Sequence, residues 1–156
     1  MDSAMNQYRI SKYNPANRVG GVYTVNEWTS FSDIGKIYEG TKLSYEMYQK
    51  TERSYIRFCL KLMEWAHISD ISIQQVEYYT DEIRFPLRAF DTNSVCQMIT
   101  ACLREQCWMK LIAKDFFIHF GYDYYIYIGT LLPFSIVSEI ATEYGLFCEI
   151  CQSPYN

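Results

Sequence analysis

The sequence predicts an α+β fold in which about three helices pack on a mainly antiparallel sheet. Two observations lead to this prediction. Apolar residues recur at helical spacing in three segments, whereas residues 115–129 have the alternation and the central Gly121-Tyr122-Asp123 turn of a β-hairpin. The predicted order is two or more strands, helix, strand, helix, three strands, helix and strand, which is typical of α+β proteins. No linker or repeat divides the chain, so we expect one domain over residues 1–156.

The first 40 residues are the least regular part of the sequence. Tyr8–Tyr13 alternates well enough for a first strand, which Asn14-Pro15 ends. Valine and threonine favour a second extended stretch at Val22–Val25, and a polar loop with a few apolar side chains follows. Because this part is too apolar for a disordered tail, we expect residues 1–40 to form an irregular N-terminal segment packed on the sheet.

The longest predicted helix lies between Thr41 and His67. Ser44 is a suitable N-cap, and Glu46 in the first turn faces the positive end of the helix dipole. At about 100° per residue, the predicted buried stripe consists of Tyr45, Tyr48, Tyr55, Ile56, Cys59, Leu62, Met63 and Ala66.

One carboxylate, Glu52, falls inside that apolar stripe. A bare buried charge is costly, so this side chain must be paired, protonated or open to a pocket. One interpretation is a residue at the margin of the stripe, bonded to a tyrosine or a backbone amide. The other is a residue of a binding site, and the sequence leaves both open.

The rest of the chain supplies two shorter helices and the remaining strands. Either Asp91 or Thr92 can cap the second helix, while Pro133 suits the first turn of the third helix and Gly145 the position after its end. The other predicted strands are Ile71–Val76, Cys107–Ala113 and Leu146–Cys151.

A central three-stranded meander is predicted in the middle of the sheet. A two-residue turn at Lys114-Asp115 pairs Leu111 with Ile118, apolar on apolar. A three-residue loop at Gly121–Asp123 then pairs Ile118 with Ile126 and gathers the apolar side chains of the hairpin on one face.

The opposite face of this meander carries the more polar side chains. In the predicted register Lys110 faces His119, His119 lies opposite Tyr125, and Phe117 lies opposite Tyr127. His119 then belongs either to a polar network on the sheet or, with a carboxylate nearby, to a site where it acts as a general base.

Composition narrows the classes of function. The net charge of −4 and the pI of about 5.2 argue against a nucleic-acid binder that relies on a basic surface, and they favour a basic partner. Aromatic residues make up 17% of the chain, and 15 of them are tyrosines. Tyrosine packs a ring while its hydroxyl stays in water, which suits a binding surface. A sheet whose strand-forming residues happen to be tyrosine is the alternative.

The chain has six cysteines, an even number that raises the question of disulfides. Met1–Met5 has neither the basic segment nor the apolar core of a secretion signal, and no apolar run approaches the ~20 residues of a membrane helix. We therefore expect a cytoplasmic protein with reduced cysteines and no membrane partner. Cys148 and Cys151 have CxxC spacing, but on a strand this spacing points the thiols to opposite faces, so neither redox chemistry nor zinc binding is predicted.

Catalytic motifs are missing from the sequence. There is no glycine-rich phosphate loop, HExxH motif, nucleophile elbow or cluster of metal ligands. We therefore predict a protein that is not an enzyme and has no catalytic residues, no cofactor and no metal site. His67 closes the long helix, where a cation suits the dipole.

The candidate binding residues lie on the polar face of the hairpin, at its tip and at isolated acidic positions. Asp33 and Asp123 are either turn residues that bond their own backbone or exposed acids presented beside aromatic rings. The predicted partner-binding residues are Asp33, Glu52, His119, Tyr122, Asp123, Tyr125 and Tyr127.

Several stretches of the chain resemble a group of small bacterial proteins, and together they span nearly its whole length. They are Tyr8–Pro15, Glu27–Ser30 with Ser32–Gly35, Leu103–Glu105, His119–Tyr125 with Tyr127–Gly129, and Ser153–Tyr155. Members of this group look similar to the immunity proteins encoded beside polymorphic or contact-dependent growth-inhibition toxins. The group has no catalytic motif to carry over. The chain departs from it at Tyr45–Met47, where such relatives tend to have a Glu-rich helix start.

This resemblance implies a function that agrees with the acidity and the aromatic content. We expect a cytoplasmic immunity protein that binds the C-terminal domain of a cognate toxin, with a nuclease as one candidate, and neutralises it by occluding its active site. The alternative is a small-ligand-binding or scaffold module whose aromatic face forms a pocket. An enzyme that uses His119 with a carboxylate is the third hypothesis.

Overall fold

A computed structural model of the chain describes residues 4–155. The strands are β1 (Asn6–Ser11), β2 (Arg18–Val19), β3 (Val22–Tyr23), β4 (Ile37–Tyr38), β5 (Thr41–Lys42), β6 (Ile71–Tyr78), β7 (Arg88–Ala89), β8 (Cys107–Ala113), β9 (Phe116–Phe120), β10 (Ile126–Thr130) and β11 (Phe147–Ile150). The helices are α1 (Tyr45–Trp65), α2 (Thr92–Leu103) and α3 (Phe134–Glu143). The predicted α+β fold, with helices on a mainly antiparallel sheet, is confirmed.

Seven of the strands form one antiparallel sheet in the order β11-β1-β10-β9-β8-β6-β7. The pairs β2–β3 and β4–β5 form two small hairpins beside it. β1 lies between β10 and β11, so the first strand is interior and pairs with the last one. In the part of the chain that the structure describes, no helix has the length and apolar character needed to cross a membrane.

Local sequence explains where the helices begin and end. The Ser44 hydroxyl accepts a hydrogen bond from a backbone amide of the first turn of α1 at 3.1 Å, and the Asp91 carboxylate does the same for α2 at 2.7 Å. Pro133 directly precedes α3. Gly145, just past the end of α3, has a φ of +75°, the left-handed conformation that favours glycine. Of the two predicted caps of the second helix, the structure selects Asp91.

The three helices pack on one face of the sheet, and the core lies between the layers. Inward side chains of the central strands, including Met109, Leu111 and Ile118, are completely buried. α1 contacts both α2 and α3, and it buries Phe58, which lies outside the predicted stripe. Tyr45, which lies inside that stripe, is 45% exposed. The buried face of α1 is therefore rotated relative to the predicted stripe.

The pairing of β8 with β9 follows the prediction, whereas the pairing of β9 with β10 does not. Leu111 lies opposite Ile118, as predicted. Across the hairpin, however, Ile118 pairs with Ile128 rather than Ile126, so the connection is Gly121–Tyr125. A register shift of two residues keeps every side chain on its predicted face, so apolar alternation cannot distinguish the two registers.

The corrected register changes the partners on the polar face. His119 lies opposite Tyr127 instead of Tyr125, and Phe117 lies opposite Gly129 instead of Tyr127. Gly129 has no side chain, which leaves room for the Phe117 ring. This arrangement favours the longer connection, because the shorter one would bring the bulky Tyr127 opposite Phe117.

Candidate functional site

Glu52 is 3% exposed and belongs to an internal ion pair. The Arg104 guanidinium, at the end of α2, donates to both carboxylate oxygens at 2.8 Å. The Tyr48 hydroxyl donates a third hydrogen bond to the carboxylate, also at 2.8 Å. Glu52 is thus bonded to a tyrosine, as one of the two interpretations expected, but it is buried and not at the margin of the stripe, and its main partner is a cation from another helix.

The connection between β9 and β10 is held in place by tyrosine hydroxyls from other parts of the chain. The Tyr55 hydroxyl donates to the Tyr124 carbonyl at 2.6 Å, and the Tyr13 hydroxyl donates to the Asp123 carbonyl at 2.6 Å. The Tyr48 and Tyr124 hydroxyls also contact each other. These bonds fix the backbone of the tip.

His119 is 1% exposed, because the C-terminal residues cover it. Its Nδ1 lies 2.7 Å from the Ser153 hydroxyl, and the Tyr155 ring meets the imidazole edge-on at 6.3 Å between centroids. Burial and the nearby Lys110 charge lower the pKa of His119 to about 4, so the imidazole is neutral at neutral pH. Of the two alternatives for His119, this geometry supports the polar network on the sheet.

Asp33 is a turn residue and is 8% exposed. Its carboxylate accepts the Thr29 amide at 2.9 Å and pairs with the Lys36 ammonium at 3.0 Å. Burial works against ionisation of Asp33, but the Thr29 amide and the Lys36 charge outweigh it and hold the pKa of the carboxyl below its usual value. This side chain is thus satisfied within its own loop.

Tyr125 and Tyr127 are half-buried and contact other side chains of the chain itself. The Arg9 guanidinium lies 4.7 Å from the centroid of the Tyr125 ring, and the Tyr127 ring meets Tyr155 edge-on at 6.0 Å. Tyr122, by contrast, is 84% exposed at the tip of the connection. Among the seven predicted partner-binding residues, Tyr122 and its neighbour Asp123 are the exposed ones.

A pocket of about 570 Å³ opens beside this tip, where β6 and β9 end and β8 begins. Aromatic rings, two carboxylates and two thiols surround it. Its lining consists of Glu77, Tyr79, Cys102, Glu105, Cys107, Trp108, Phe120, Gly121, Tyr122 and Tyr155. None of these residues is a lysine or an arginine, so the lining charges are negative.

Hydrogen bonds and ring contacts hold the walls of the pocket. The Trp108 indole donates to the Phe120 carbonyl at 2.8 Å, and its ring packs against Tyr155 with centroids 5.5 Å apart. The Tyr79 hydroxyl donates to Glu77 at 3.1 Å, while the Tyr79 ring is 60% exposed. The inner wall is therefore held by contacts within the chain, and the rim offers exposed aromatic surface.

Of the predicted site residues, Tyr122 alone is in the lining of this pocket. The other lining residues come from the end of β6, from the stretch between the last turn of α2 and the start of β8, from the end of β9 and from the C-terminal segment. No local pattern in the sequence relates these segments to one another. The C-terminal Ser153–Tyr155 stretch did carry the family resemblance, which was the one available pointer to Tyr155.

Comparison of the chain with protein-family models, with curated proteins and with solved structures finds no match. Within residues 4–155, no group of three or more histidine, cysteine, aspartate or glutamate side chains could hold a metal ion. A functional assignment must therefore start from the pocket and its surroundings.

Proposed function

We propose that the protein is a cytoplasmic immunity protein that binds the C-terminal domain of a cognate bacterial toxin and occludes its active site. The observation that carries this proposal is the pocket beside Tyr122. Exposed rings and the exposed carboxylates of Glu77 and Glu105 surround it, and none of the described residues in its lining is a lysine or an arginine. Aromatic anchors supply affinity at protein interfaces, and carboxylates speed association with a basic partner.

The tip that presents Tyr122 supports the same proposal. Its backbone carbonyls at Asp123 and Tyr124 accept hydrogen bonds from Tyr13 and Tyr55, so the exposed ring stands on a fixed loop. A surface that is ordered before binding loses less conformational entropy when the partner arrives. Tyr122 is the residue that we expect to contribute most to affinity.

The residues that line the pocket indicate which kind of toxin side chain binds there. Aromatic faces attract lysine and arginine cations, and the two carboxylates at the rim add charge complementarity. We therefore expect a lysine or arginine side chain of the toxin to enter the pocket. A nuclease is a suitable toxin class, because an enzyme that holds a phosphate backbone presents basic side chains around its active site.

The test is co-expression with the toxin domain encoded by the neighbouring gene, read out as growth rescue and as co-purification of the two proteins. The Tyr122→Ala and Glu105→Lys variants should lose rescue and bind at least tenfold more weakly, with unfolding free energies close to that of the parent. Glu139→Lys, at an exposed position of α3 outside the pocket lining, makes the same charge change and should keep rescue. Healthy cells after deletion of this gene beside an intact toxin gene would contradict the proposal.

A small-ligand-binding module is the second candidate, because the pocket volume of about 570 Å³ falls in the usual range for ligand sites, about 300–1,000 Å³. A thermal-shift screen of metabolites tests it, since a specific ligand raises the melting temperature by mass action. A hit that loses its effect in the Tyr122→Ala variant while toxin rescue is absent in the parent protein would favour this candidate.

A further inference from the structure

Two thiols lie at the base of the pocket. Cys102 is in the last turn of α2, Cys107 is the first residue of β8, and their sulfur atoms are 3.8 Å apart. Both residues contribute to the pocket lining, although they are only 7% and 2% exposed. The base of the pocket therefore lies directly against this pair of cysteines.

The backbone between the two cysteines holds the thiols together. The Glu105 amide donates to the Cys102 carbonyl at 3.1 Å, and the Gln106 amide donates to the Ala101 carbonyl at 2.9 Å. Glu105 itself has a φ of +60°, which reverses the chain directly from helix into strand. This tight turn therefore holds the backbones of the two cysteines next to each other.

The two thiols differ in acidity. A hydrogen bond from the Cys102 thiol lowers the pKa of Cys107, whereas burial, followed by the contact with Cys107, raises the pKa of Cys102 well above its usual value. Burial also raises the pKa values of Cys59 and Cys148 to about 12. A thiol with a lowered pKa next to a second, protonated thiol combines an attacking cysteine with a resolving one.

We propose that Cys102 and Cys107 form a reversible disulfide at the base of the pocket when a peroxide enters it. The Cys107 thiolate attacks one oxygen of hydrogen peroxide, so that an S–O bond forms, the O–O bond breaks, and hydroxide leaves and takes up a proton. The Cys102 sulfur then attacks the Cys107 sulfenic acid, so that the S–S bond forms and the S–O bond breaks. The departing hydroxyl group leaves as water with the Cys102 proton.

The two oxidation steps balance in atoms and electrons. The two thiols lose two electrons and two protons, and one hydrogen peroxide becomes two molecules of water. The sulfur atoms must approach from 3.8 Å to about 2.05 Å, which side-chain rotation and a small adjustment of the turn can supply. A dithiol such as dithiothreitol reverses the reaction by thiol–disulfide exchange.

This proposal does not rest on the proposed function. The oxidation involves the chain alone, so its success or failure is separate from that of the immunity proposal. It is also distinct from the CxxC pair, because Cys148 lies within β11, and the Cys151 thiol, just after that strand, donates to the Gln152 carbonyl. That pair is the matched control within the same chain.

The experiment treats the reduced, folded full chain with hydrogen peroxide and alkylates the remaining thiols under denaturing conditions. Tandem mass spectrometry then maps the peptides, because the tryptic peptide that ends at Arg104 carries Cys96 as well as Cys102. Trypsin cuts after Arg104, between the two cysteines, so the disulfide joins two peptides that are separate in the reduced protein. We expect a Cys102–Cys107 cross-link that dithiothreitol removes, with Cys148 and Cys151 alkylated.

Two variants test the order of events. Cys102→Ser should stop at a Cys107 sulfenic acid, which dimedone traps, and Cys107→Ser should leave Cys102 unreacted. If Cys107→Ser does not fold, Cys107→Ala replaces it, and the mapping of the parent chain decides by itself. Full alkylation of both cysteines after peroxide treatment, a cross-link that forms only in urea, or a cross-link to another cysteine would each overturn the proposal.

Discussion

Gly129 lies directly across the β9–β10 pair from Phe117, and the Phe117 ring occupies the space that a side chain at Gly129 would need. A Cβ atom at Gly129 would lie 2.1 Å from Cε2 of that ring. Phe117 in turn stacks on His119, with ring centroids 4.0 Å apart and 14° between the planes. The glycine therefore makes possible the packing of the polar face of the sheet, from Phe117 through His119 to the C-terminal residues.

The first prediction concerns this contact. Gly129→Ala should lower the free energy of unfolding by about 1–3 kcal/mol, the usual cost of inserting a methyl group into a packed site. The gain in intrinsic strand preference, roughly 0.5–1 kcal/mol, is smaller. Urea unfolding followed by circular dichroism measures the change. In a Phe117→Leu background the same substitution should cost clearly less, and equal costs in both backgrounds would contradict the observed register.

The second prediction concerns the internal ion pair. Arg104→Met leaves the Glu52 carboxylate buried with a tyrosine hydroxyl and no cation, and we expect a loss of about 3 kcal/mol. This is the low end of the range for a broken buried pair, since the Arg104 side chain is still 22% exposed.

The control for that variant lies on α1 itself. Lys61 pairs with Glu64 at 4.0 Å, and both side chains are substantially exposed. Lys61→Met should therefore change the free energy of unfolding by less than about 1 kcal/mol. Equal losses in the two variants, measured by urea unfolding at neutral pH, would show that the Glu52–Arg104 pair is not buried in solution.

The third prediction is a pH dependence of stability caused by His119. Its folded-state pKa is about 4, below the value of 6.5 for the free side chain. As the pH falls below 6.5, the unfolded chain takes up a proton at this position while the folded chain does not, so the free energy of unfolding decreases down to about pH 4. The full contribution is at most about 3 kcal/mol.

Urea unfolding between pH 7 and pH 5 tests this prediction, because the carboxylates titrate mainly at lower pH. His119→Asn should flatten the pH dependence in this window, whatever its effect on absolute stability. His67→Asn, which replaces an exposed histidine, should leave the steep dependence of the parent protein unchanged. A parent chain with constant stability across the window would contradict the buried, neutral state of His119.

The fourth prediction concerns the C-terminal cover over the sheet. Ser153 contacts the His119 ring, its amide donates to the Gln7 side chain at 2.8 Å, and the Tyr155 carbonyl accepts from the Lys110 ammonium. Deleting the chain from Ser153 onward should raise the pKa of His119 toward 6.5, because water regains access to the ring. An NMR titration of the histidine ring protons measures this change.

Ser153→Ala is the matched control for the truncation. It removes the hydroxyl contact to His119 but keeps Tyr155 and the rest of the cover in place. The pKa of His119 should then rise much less than in the truncated chain. If the truncation left the His119 titration unchanged, burial by the C-terminal residues could not be the cause of the lowered pKa.

Features that depend on neighbouring residues were predictable from the sequence. Ser44 and Asp91 satisfy amides within one turn of their own helices, and Gly145 adopts the left-handed conformation that ends α3. The β8–β9 register was also correct, since a tight turn at Lys114-Asp115 leaves little freedom in the pairing. All of these features are local, because a helix cap or a tight turn involves residues that are only a few positions apart in the sequence.

The β9–β10 register was not predictable in the same way. Alternation determines the face of each side chain, but registers two residues apart have the same faces. The choice depends on the burial of Tyr124 among Trp28, Tyr48 and Tyr55, and on the fit of Phe117 against Gly129. These contacts join segments that are far apart in the sequence. The alternation of apolar residues within one strand does not indicate which distant segments meet.

The sequence by itself determined the α+β class, the three helices and their approximate limits, the two faces of the β9–β10 hairpin and the tip at Tyr122. These follow from the periods of helix and strand and from local hydrogen bonding. Only the tertiary structure decided that Glu52 meets Arg104, 52 residues away, and that Cys102 and Cys107 share the base of an aromatic pocket. It also decided that His119 is covered by the end of the chain. The physical reason is that burial and pairing between distant segments depend on how the whole core packs, which no single segment specifies.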